Sequence, residues 1–370
     1  MRTRAAVVDE GTKEFEVREL EVDEPGAGEV HVRFVASGLC HSDLHLVDGD
    51  LKPRYPMVAG HEGAGIVEGV GPGVTKVVVG DHVVCSFVPS CGSCRYCATG
   101  RSSVCDLAVN SVIGLFPDGR SRFHRDGRDY GGFCMLGTFS ERATVLQHSV
   151  VKVDDWLPLE TAVLVGCGVP TGWGSVVYSA ETRPGDSVVI FGIGGIGINA
   201  VQGAKHAGAR HIIAVDPVEF KRTKALEFGA THAVATGEEA IGKAYELTNG
   251  VGADQAVVTV GVVDSKVVED AFNATRKLGT TVVVGLGPMT ENTIQLNGDI
   301  LTLYQKTVKG SLFGASNPMY DIKNILSLYR DGLYKLDELV TRTYTLDQVN
   351  QGYEDLEAGE NLRGVILYDS

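Results

Sequence analysis

The chain is short of positive charge, of long apolar runs and of an apolar N-terminal core, and each shortage excludes a functional class. Lys and Arg number 33 against 47 Asp and Glu in 370 residues, a formal net charge of -14. That balance argues against nucleic-acid backbones and anionic membrane surfaces as partners. No apolar run reaches the ~18 residues that a membrane-spanning helix needs. The opening stretch Arg2-Thr3-Arg4-Ala5-Ala6-Val7-Val8-Asp9-Glu10 turns acidic before a signal-peptide core could form, which predicts a cytoplasmic, reducing address. There is no internal repeat or low-complexity segment, and the 47 glycines follow no collagen-like period.

What remains is a globular composition, 44% hydrophobic and 22% charged, at a length that suits two domains. Eight cysteines stand at 40, 85, 91, 94, 97, 105, 134 and 167, four of them between Cys91 and Cys105. In a chain this long without a signal peptide, such crowding favours metal ligation over disulfides.

Up to about residue 150 the pattern is short and β-like, as in Glu29–Val35 and Gly65–Val70, with Gly and Pro as punctuation. It predicts an antiparallel, barrel-like region. From about Thr171 the rhythm changes to strands alternating with helices. The strands are 187–191, 211–215, 256–260 and 280–284; the helices are 196–207, 219–228 and 267–277. That alternation predicts parallel βαβ units in a doubly wound sheet. After about Gly310 it stops, and a strand-like run from Gly364 ends at Tyr368.

Phe191 leads into Gly192-Ile193-Gly194-Gly195-Ile196-Gly197, a match to G-x-G-x-x-G. Alone the pattern also fits a merely tight turn, but here it follows a strand, opens a helix, and precedes Asp216 by nineteen residues. Glycines there let backbone approach a pyrophosphate at a helix N-terminus. The Asp216 carboxylate can accept both ribose hydroxyls and repels a 2′-phosphate, so NAD is favoured over NADP; the plainer alternative for Asp216 is a helix cap.

Cys91, Cys94, Cys97 and Cys105 form C-x2-C-x2-C-x7-C, enough to close a tetrahedron of thiolates around a structural zinc. A bacterial ferredoxin run would have three residues before the last cysteine and Pro after it; here there are seven, and Asp106 follows. Cys40 opens Cys40-His41-Ser42-Asp43-Leu44-His45, His61 sits in Gly60-His61-Glu62-Gly63, and Cys167 lies just before the nucleotide-binding region. Singly each reads as core. Together two thiolates and one imidazole make the three-ligand set of an open zinc site.

On these motifs the sequence resembles the zinc-dependent medium-chain alcohol dehydrogenases over essentially its whole length. The resemblance implies a GroES-like β-rich catalytic domain, residues 1–168 and 312–370, around a Rossmann NAD-binding domain, residues 169–311. It implies two zinc ions per subunit: one on Cys40, His61 and Cys167, and one on the four clustered cysteines. Asp43 would orient His61, Glu62 would lie behind the metal, and Ser42 and His45 would relay a proton together with the coenzyme ribose. Thr171 would meet the nicotinamide, with Gly192, Gly194, Gly195, Ile196, Gly197, Asp216, Lys221, Leu286, Arg363 and His41 around the rest of the coenzyme. Leu51, Phe87, Phe133 and Leu286 would line the alcohol pocket. Many relatives have arginine where His41 stands; since histidine is charged only below a pKa of ~6.5, coenzyme affinity should be more sensitive to pH here.

The reaction so implied is hydride transfer between NAD and alcohols, primary and also secondary, giving aldehydes or ketones. The stretch Gly114–Ser140 is similar to the longer, usually dimeric branch of the family, and Ile294–Thr307 to the strand region through which relatives pair, which implies a homodimer. Three alternatives stay open. One is a formaldehyde dehydrogenase acting on a thiol adduct. Another is an actinobacterial, NDMA-dependent nicotinoprotein that keeps its nicotinamide and uses an external acceptor. The last is a nucleotide-binding relative without activity. Cys85 and Cys134 have no metal assigned, and the physiological alcohol is not written in the sequence.

Overall fold

In the computed structural model, which describes residues 1–287 and 293–369, the chain divides into Met1–Cys167 with Asn317–Ser370, and Gly168–Ser316. The first unit is β-rich for the reason its period-two pattern suggests. Along Glu29–Gly38 the side chains of Val30, Val32, Phe34 and Ala36 are all buried, and every second position faces one core. Strands Arg2–Val8, Glu16–Val22, Phe123–Arg125, Arg128–Gly132 and Met57–Val58 close into a barrel. Its pairings are antiparallel except that Met57–Val58 runs parallel to Arg128–Gly132. A seven-stranded sheet adjoins it in sequence, with Glu29–Gly38 paired to Gly63–Val70, Arg142–Leu146 and Arg363–Leu367. One hydrophobic core, including Val7, Val32, Phe34, Leu39, Val58, Phe139, Tyr353 and Ile366, serves both sheets.

The C-terminal part of this unit contributes the helices Pro318–Arg330 and Val349–Glu357 and the strands Val340–Tyr344 and Arg363–Leu367. Asn317 starts the first helix by accepting the Met319 N–H, with Pro318 at its first position. The strand Arg363–Leu367 pairs antiparallel with Gly38, Ser37 and Ala36, so the end of the chain lies beside the start of the Cys40 segment.

The second unit is a six-stranded, wholly parallel sheet, with Ser187–Phe191 central, His211–Val215 and His232–Val234 on one side, and Ala253–Val258, Thr275–Val283 and Thr307–Gly310 on the other. In the unit's own strand numbering this is 3-2-1-4-5-6, the doubly wound order whose reversal lies between strands one and four. Strands 187–191 and 211–215 and the helix 219–228 fall at the expected bounds.

The strand expected over 256–260 runs Ala253–Val258 and the helix expected over 196–207 runs Gly197–His206, and two further segments differ more. The helix expected over 267–277 runs Ser265–Ala274, after which Thr275–Val283 is strand. Asp264 caps the helix through Val267 N–H, and the Thr275 hydroxyl donates to the Phe272 carbonyl at its end, so the β-branched Thr-rich stretch joins the sheet. The strand region expected over Ile294–Thr307 contains a helix, Gly298–Leu303, because the Asn297 side chain accepts the Ile300 N–H and caps it; only Thr307 begins a strand. No helix among the described residues is long and apolar enough to cross a membrane.

Candidate metal and nucleotide sites

Cys40 is the last extended residue before the helix His41–Asp48, and Gly49 ends that helix with φ at +84°. A single short helix therefore presents Ser42, Asp43 and His45 at fixed spacing behind a cysteine. His61 and Glu62 lie just before the strand Gly63–Val70. The sheet pairing of Ser37 with Gly63 brings that segment against the Cys40 loop. Cys167 completes the group: a sulfur of Cys40, a nitrogen of His61, a carboxylate oxygen of Glu62 and the sulfur of Cys167 all lie within 4.8 Å of one another, all buried.

The electrostatics of this group are those of a metal site. His61 Nδ1 is 3.0 Å from Asp43 Oδ2, while Asp43 Oδ1 accepts the Gly60 N–H at 2.8 Å. The ring is thus turned so that Nε2, buried and without a hydrogen-bond partner, faces the sulfurs. A hydrogen bond with Cys167 and the charge of His61 hold the Cys40 thiol well below its ordinary range, although burial opposes this. The same bond, with burial, pushes Cys167 well above it. Two buried sulfurs beside a carboxylate and an imidazole form a donor set that fits zinc. Burial raises the Glu62 carboxyl to about 7 against the pull of Arg363. Both side chains of the Glu62–Arg363 ion pair are almost wholly buried.

The rings of Phe133 and Phe87 stand edge-on to His61, at 5.4 and 5.8 Å between centroids. Phe133 is followed by Cys134 and Met135 at φ of +57° and +58°, two strained non-glycine residues in succession. Leu51 packs at the margin of the same core. His45 Nδ1 is 2.8 Å from Asp50 Oδ2, and the His41 ring is 5.1 Å from that of His45. Cys40 Sγ is 3.7 Å from the Ser42 hydroxyl.

The four-cysteine segment is held differently. Its sulfurs are also within 4.8 Å of one another, but three of the four residues are half-exposed. Backbone N–H groups supply the stabilisation: Cys94 N and Ser93 N donate to Cys91 Sγ, Cys97 N to Cys94 Sγ, and Cys91 N to Cys105 Sγ, at 3.2 to 3.4 Å. These donors bring Cys91 down to about 6 although burial opposes them, whereas burial leaves Cys105 at about 12. The set fits a closed tetrathiolate zinc site. None of the eight cysteines, all of them among the described residues, forms a disulfide. Cys85 and Cys134 are buried in the apolar core, and burial pushes both thiols to about 12.

In the second unit the glycine-rich turn follows the central strand. Gly192 has φ of +87°, and a Cβ on Gly197 would run into the Gly192 carbonyl, so these two glycines are required by the turn and by helix–strand packing. Gly194 is different: a Cβ there meets no protein atom, and the space beside the backbone is left open, as a pyrophosphate requires. Asp216 Oδ2 accepts the Ile193 N–H at 2.8 Å and Oδ1 the Val218 N–H at 2.9 Å, which fixes the carboxylate and leaves each oxygen a further lone pair. Gly195 and Ile196 complete the turn, Lys221 lies on the helix Glu219–Phe228, Thr171 is buried on the helix Gly168–Gly174, and Leu286 is bridged to Val262 at the sheet end. The donor set and cradle fit a dinucleotide.

Of the residues expected at the coenzyme, two belong to the first unit and have partners there: Arg363 is buried against Glu62, and the His41 ring meets that of His45. The partner of Arg363, and the phenylalanine edges on His61, carried no local sequence signal. Glu62 and Arg363 are 301 positions apart, and only their opposite charges could have suggested a pair.

Residues 26–155 match the alcohol dehydrogenase GroES-like domain, and residues 195–329 match the zinc-binding dehydrogenase domain. The chain is 63% identical over 370 residues to an NDMA-dependent alcohol dehydrogenase of Amycolatopsis methanolica, covering all of both chains. Among solved structures, the benzyl alcohol dehydrogenase of Acinetobacter calcoaceticus superposes with a TM-score of 0.93 at 32% identity, again over all of both chains. An alcohol dehydrogenase zinc-binding domain protein from Burkholderia ambifaria gives 0.93 at 34%, with the same coverage.

Proposed function

We propose a division of labour among the residues of this chain from the premise that it belongs to the zinc-dependent medium-chain alcohol dehydrogenase family. It is an oxidoreductase that interconverts alcohols and aldehydes with an NAD-type coenzyme and zinc. The observation that carries the residue assignment is the buried set Cys40, His61 and Cys167, with Asp43 behind the imidazole.

Cys40, His61 and Cys167 hold the catalytic zinc, which when bound supplies Lewis-acid polarisation of the alcohol oxygen. Asp43 fixes the tautomer and tilt of His61. Ser42 accepts the alcohol proton and His45 passes it outward to Asp50, whose side chain is 20% exposed. Phe133, Phe87 and Leu51 form the apolar walls that exclude water. Gly192, Gly194, Gly195, Ile196 and Gly197 seat the pyrophosphate, Asp216 and Lys221 the adenosine ribose, and Thr171 the nicotinamide. Cys91, Cys94, Cys97 and Cys105 hold a second zinc whose role is structural. The compact units support a catalytic domain of residues 1–168 and 312–370 and a nucleotide domain of 169–311, to within about five residues. Eight cysteines without a disulfide support a reducing, cytoplasmic setting. A homodimer rests on the likeness of Gly114–Ser140 to the dimeric branch and is checked by sedimentation.

Metal analysis of active protein should give about two zinc per subunit; active protein with none, or with iron alone, overturns the assignment. The 63% identity to the Amycolatopsis methanolica NDMA-dependent enzyme favours one sharper reading, a coenzyme retained through turnover and reoxidised by an external acceptor. Denaturing the purified protein should then release stoichiometric nicotinamide dinucleotide. Free NAD should also fail to support turnover that NDMA supports, and brisk turnover with free NAD alone would discard this reading.

A further inference from the structure

Two features of the C-terminal segment meet the metal-binding loop from behind. The Gly364 carbonyl accepts the Leu39 N–H at 2.9 Å, one residue before Cys40. Tyr353, on the helix Val349–Glu357, donates its hydroxyl to the Cys40 carbonyl at 3.2 Å across 313 positions of sequence. Tyr353 is buried at 3% exposure, and its ring packs against Phe15 and Phe139, with centroids at 5.1 and 6.3 Å. The Cys40 carbonyl also accepts the Asp43 N–H at 3.1 Å, the first turn of the helix that carries Ser42, Asp43 and His45.

We propose that Tyr353 is a positioning residue for the catalytic metal, acting through the Cys40 peptide. A carbonyl that takes both Asp43 N–H and the Tyr353 hydroxyl has its plane fixed by two donors from different elements. With that plane fixed, the Cys40 Cα–Cβ direction and hence Sγ are fixed relative to His61 and Cys167. The same pair of bonds ties the start of the helix His41–Asp48 to the rigid aromatic stack around Phe15 and Phe139. Removal of the hydroxyl leaves the ring, and therefore the packing, in place, but frees the thiolate-bearing peptide to rock about a single remaining bond. Outer partners of metal ligands typically change affinity or activity by 10–100-fold, although here the partner acts through the backbone and not through the ligand atom, so the low end applies. The inference rests on the assignment of Cys40, His61 and Cys167 as ligands.

The test compares the wild-type holoenzyme with Tyr353→Phe and with Tyr344→Phe. Tyr344 donates to Asp355 at 2.6 Å and is also buried in this region, without touching Cys40, so it reports general loosening. Zinc release into a chromogenic chelator should run in two phases, and a Cys97→Ser variant identifies the phase that belongs to the four-cysteine site by losing it. In Tyr353→Phe the other phase should quicken about 10-fold. The ligand-field bands of the cobalt-substituted enzyme should shift, and kcat should fall about 10-fold with KM nearly unchanged. Tyr344→Phe should change none of these. Superimposable release curves and cobalt spectra for wild type and Tyr353→Phe overturn the role of Tyr353 alone. Equal changes in the two Tyr→Phe variants overturn it too, as plain destabilisation. Wild type with one zinc and one phase overturns the ligand assignment, and this inference with it.

Discussion

The two metal-ligand clusters use nearly the same atoms in opposite ways. Four sulfurs between Cys91 and Cys105 gather within a single loop, three of the four residues half-exposed, and are held by backbone N–H donors from the same loop. Cys40, His61 and Cys167 come from three separate segments, are wholly buried, and are held by side chains: Asp43 behind His61, Tyr353 behind Cys40, and Glu62 with Arg363 alongside. A local loop can saturate a metal with four like ligands. An open coordination position needs walls that a loop of that length cannot build, and those walls come from distant parts of the chain. The four-cysteine site proposed as structural is therefore specified within one short loop, whereas the site proposed as catalytic is a product of the fold.

The contrast is broken most decisively at Cys40. Cys40→Ala should lower turnover by about 10⁴-fold, the equivalent of about 5 kcal/mol of lost Lewis-acid assistance, while nucleotide binding and one zinc per subunit persist. Steady-state rates with equilibrium dialysis of NAD check it, and retained activity would refute the site.

Thiol reactivity sharpens the same contrast in metal-stripped protein. Cys91, lowered to about 6, should be thiolate at neutral pH and alkylate at a rate that falls off as pH drops through about 6. Cys105, Cys85 and Cys134, each raised to about 12, should react about 100-fold more slowly or less at pH 7. Peptide mapping after a timed iodoacetamide pulse separates the four.

Cys97→Ser should act on stability where Cys40→Ala acts on rate. Loss of about 3 kcal/mol from the unit that holds the loop corresponds to a fall of about 6–12 °C in Tm. Initial rates at low temperature should stay within about twofold of wild type. A Tm unchanged in calorimetry would mean that the loop carries no structural metal.

The smallest effect belongs to the pocket wall. Phe133→Ala removes an aromatic edge from His61 and should shift kcat/KM by about 10-fold between short and aromatic alcohols, with the pH profile unchanged. A panel of alcohols of graded length reads it.

Local signals were legible in the sequence and distant ones were not. The central strand Ser187–Phe191, the glycine turn after it and the four-cysteine spacing each lie within a few residues, where steric and bonding rules act directly. The three-segment ligand set was found only by summing residue types, and its supports were missed because nothing near Glu62 specifies Arg363 and nothing near Cys40 specifies Tyr353. The helix Gly298–Leu303 was missed for a smaller reason. The likeness of Ile294–Thr307 to the pairing strands of relatives implied a strand, and the cap that Asn297 gives to Ile300 N–H was not weighed.

The return of the C-terminal segment to the Cys40 loop also sets an order in time. At about 5–20 residues per second of synthesis, the 14 positions from Cys91 to Cys105 pass in about 1–3 s. The four-cysteine loop can thus capture its ion while most of the chain is still unmade. The 301 positions from Glu62 to Arg363 take about 15–60 s, so Glu62 must wait that long for its counter-charge, and Cys40 as long for Tyr353. On the proposed assignment, a nascent chain that has passed Cys105 holds its four zinc-binding thiols long before it can become a catalyst, and termination between Cys105 and the helix Val349–Glu357 leaves that loop without Tyr353 and Arg363.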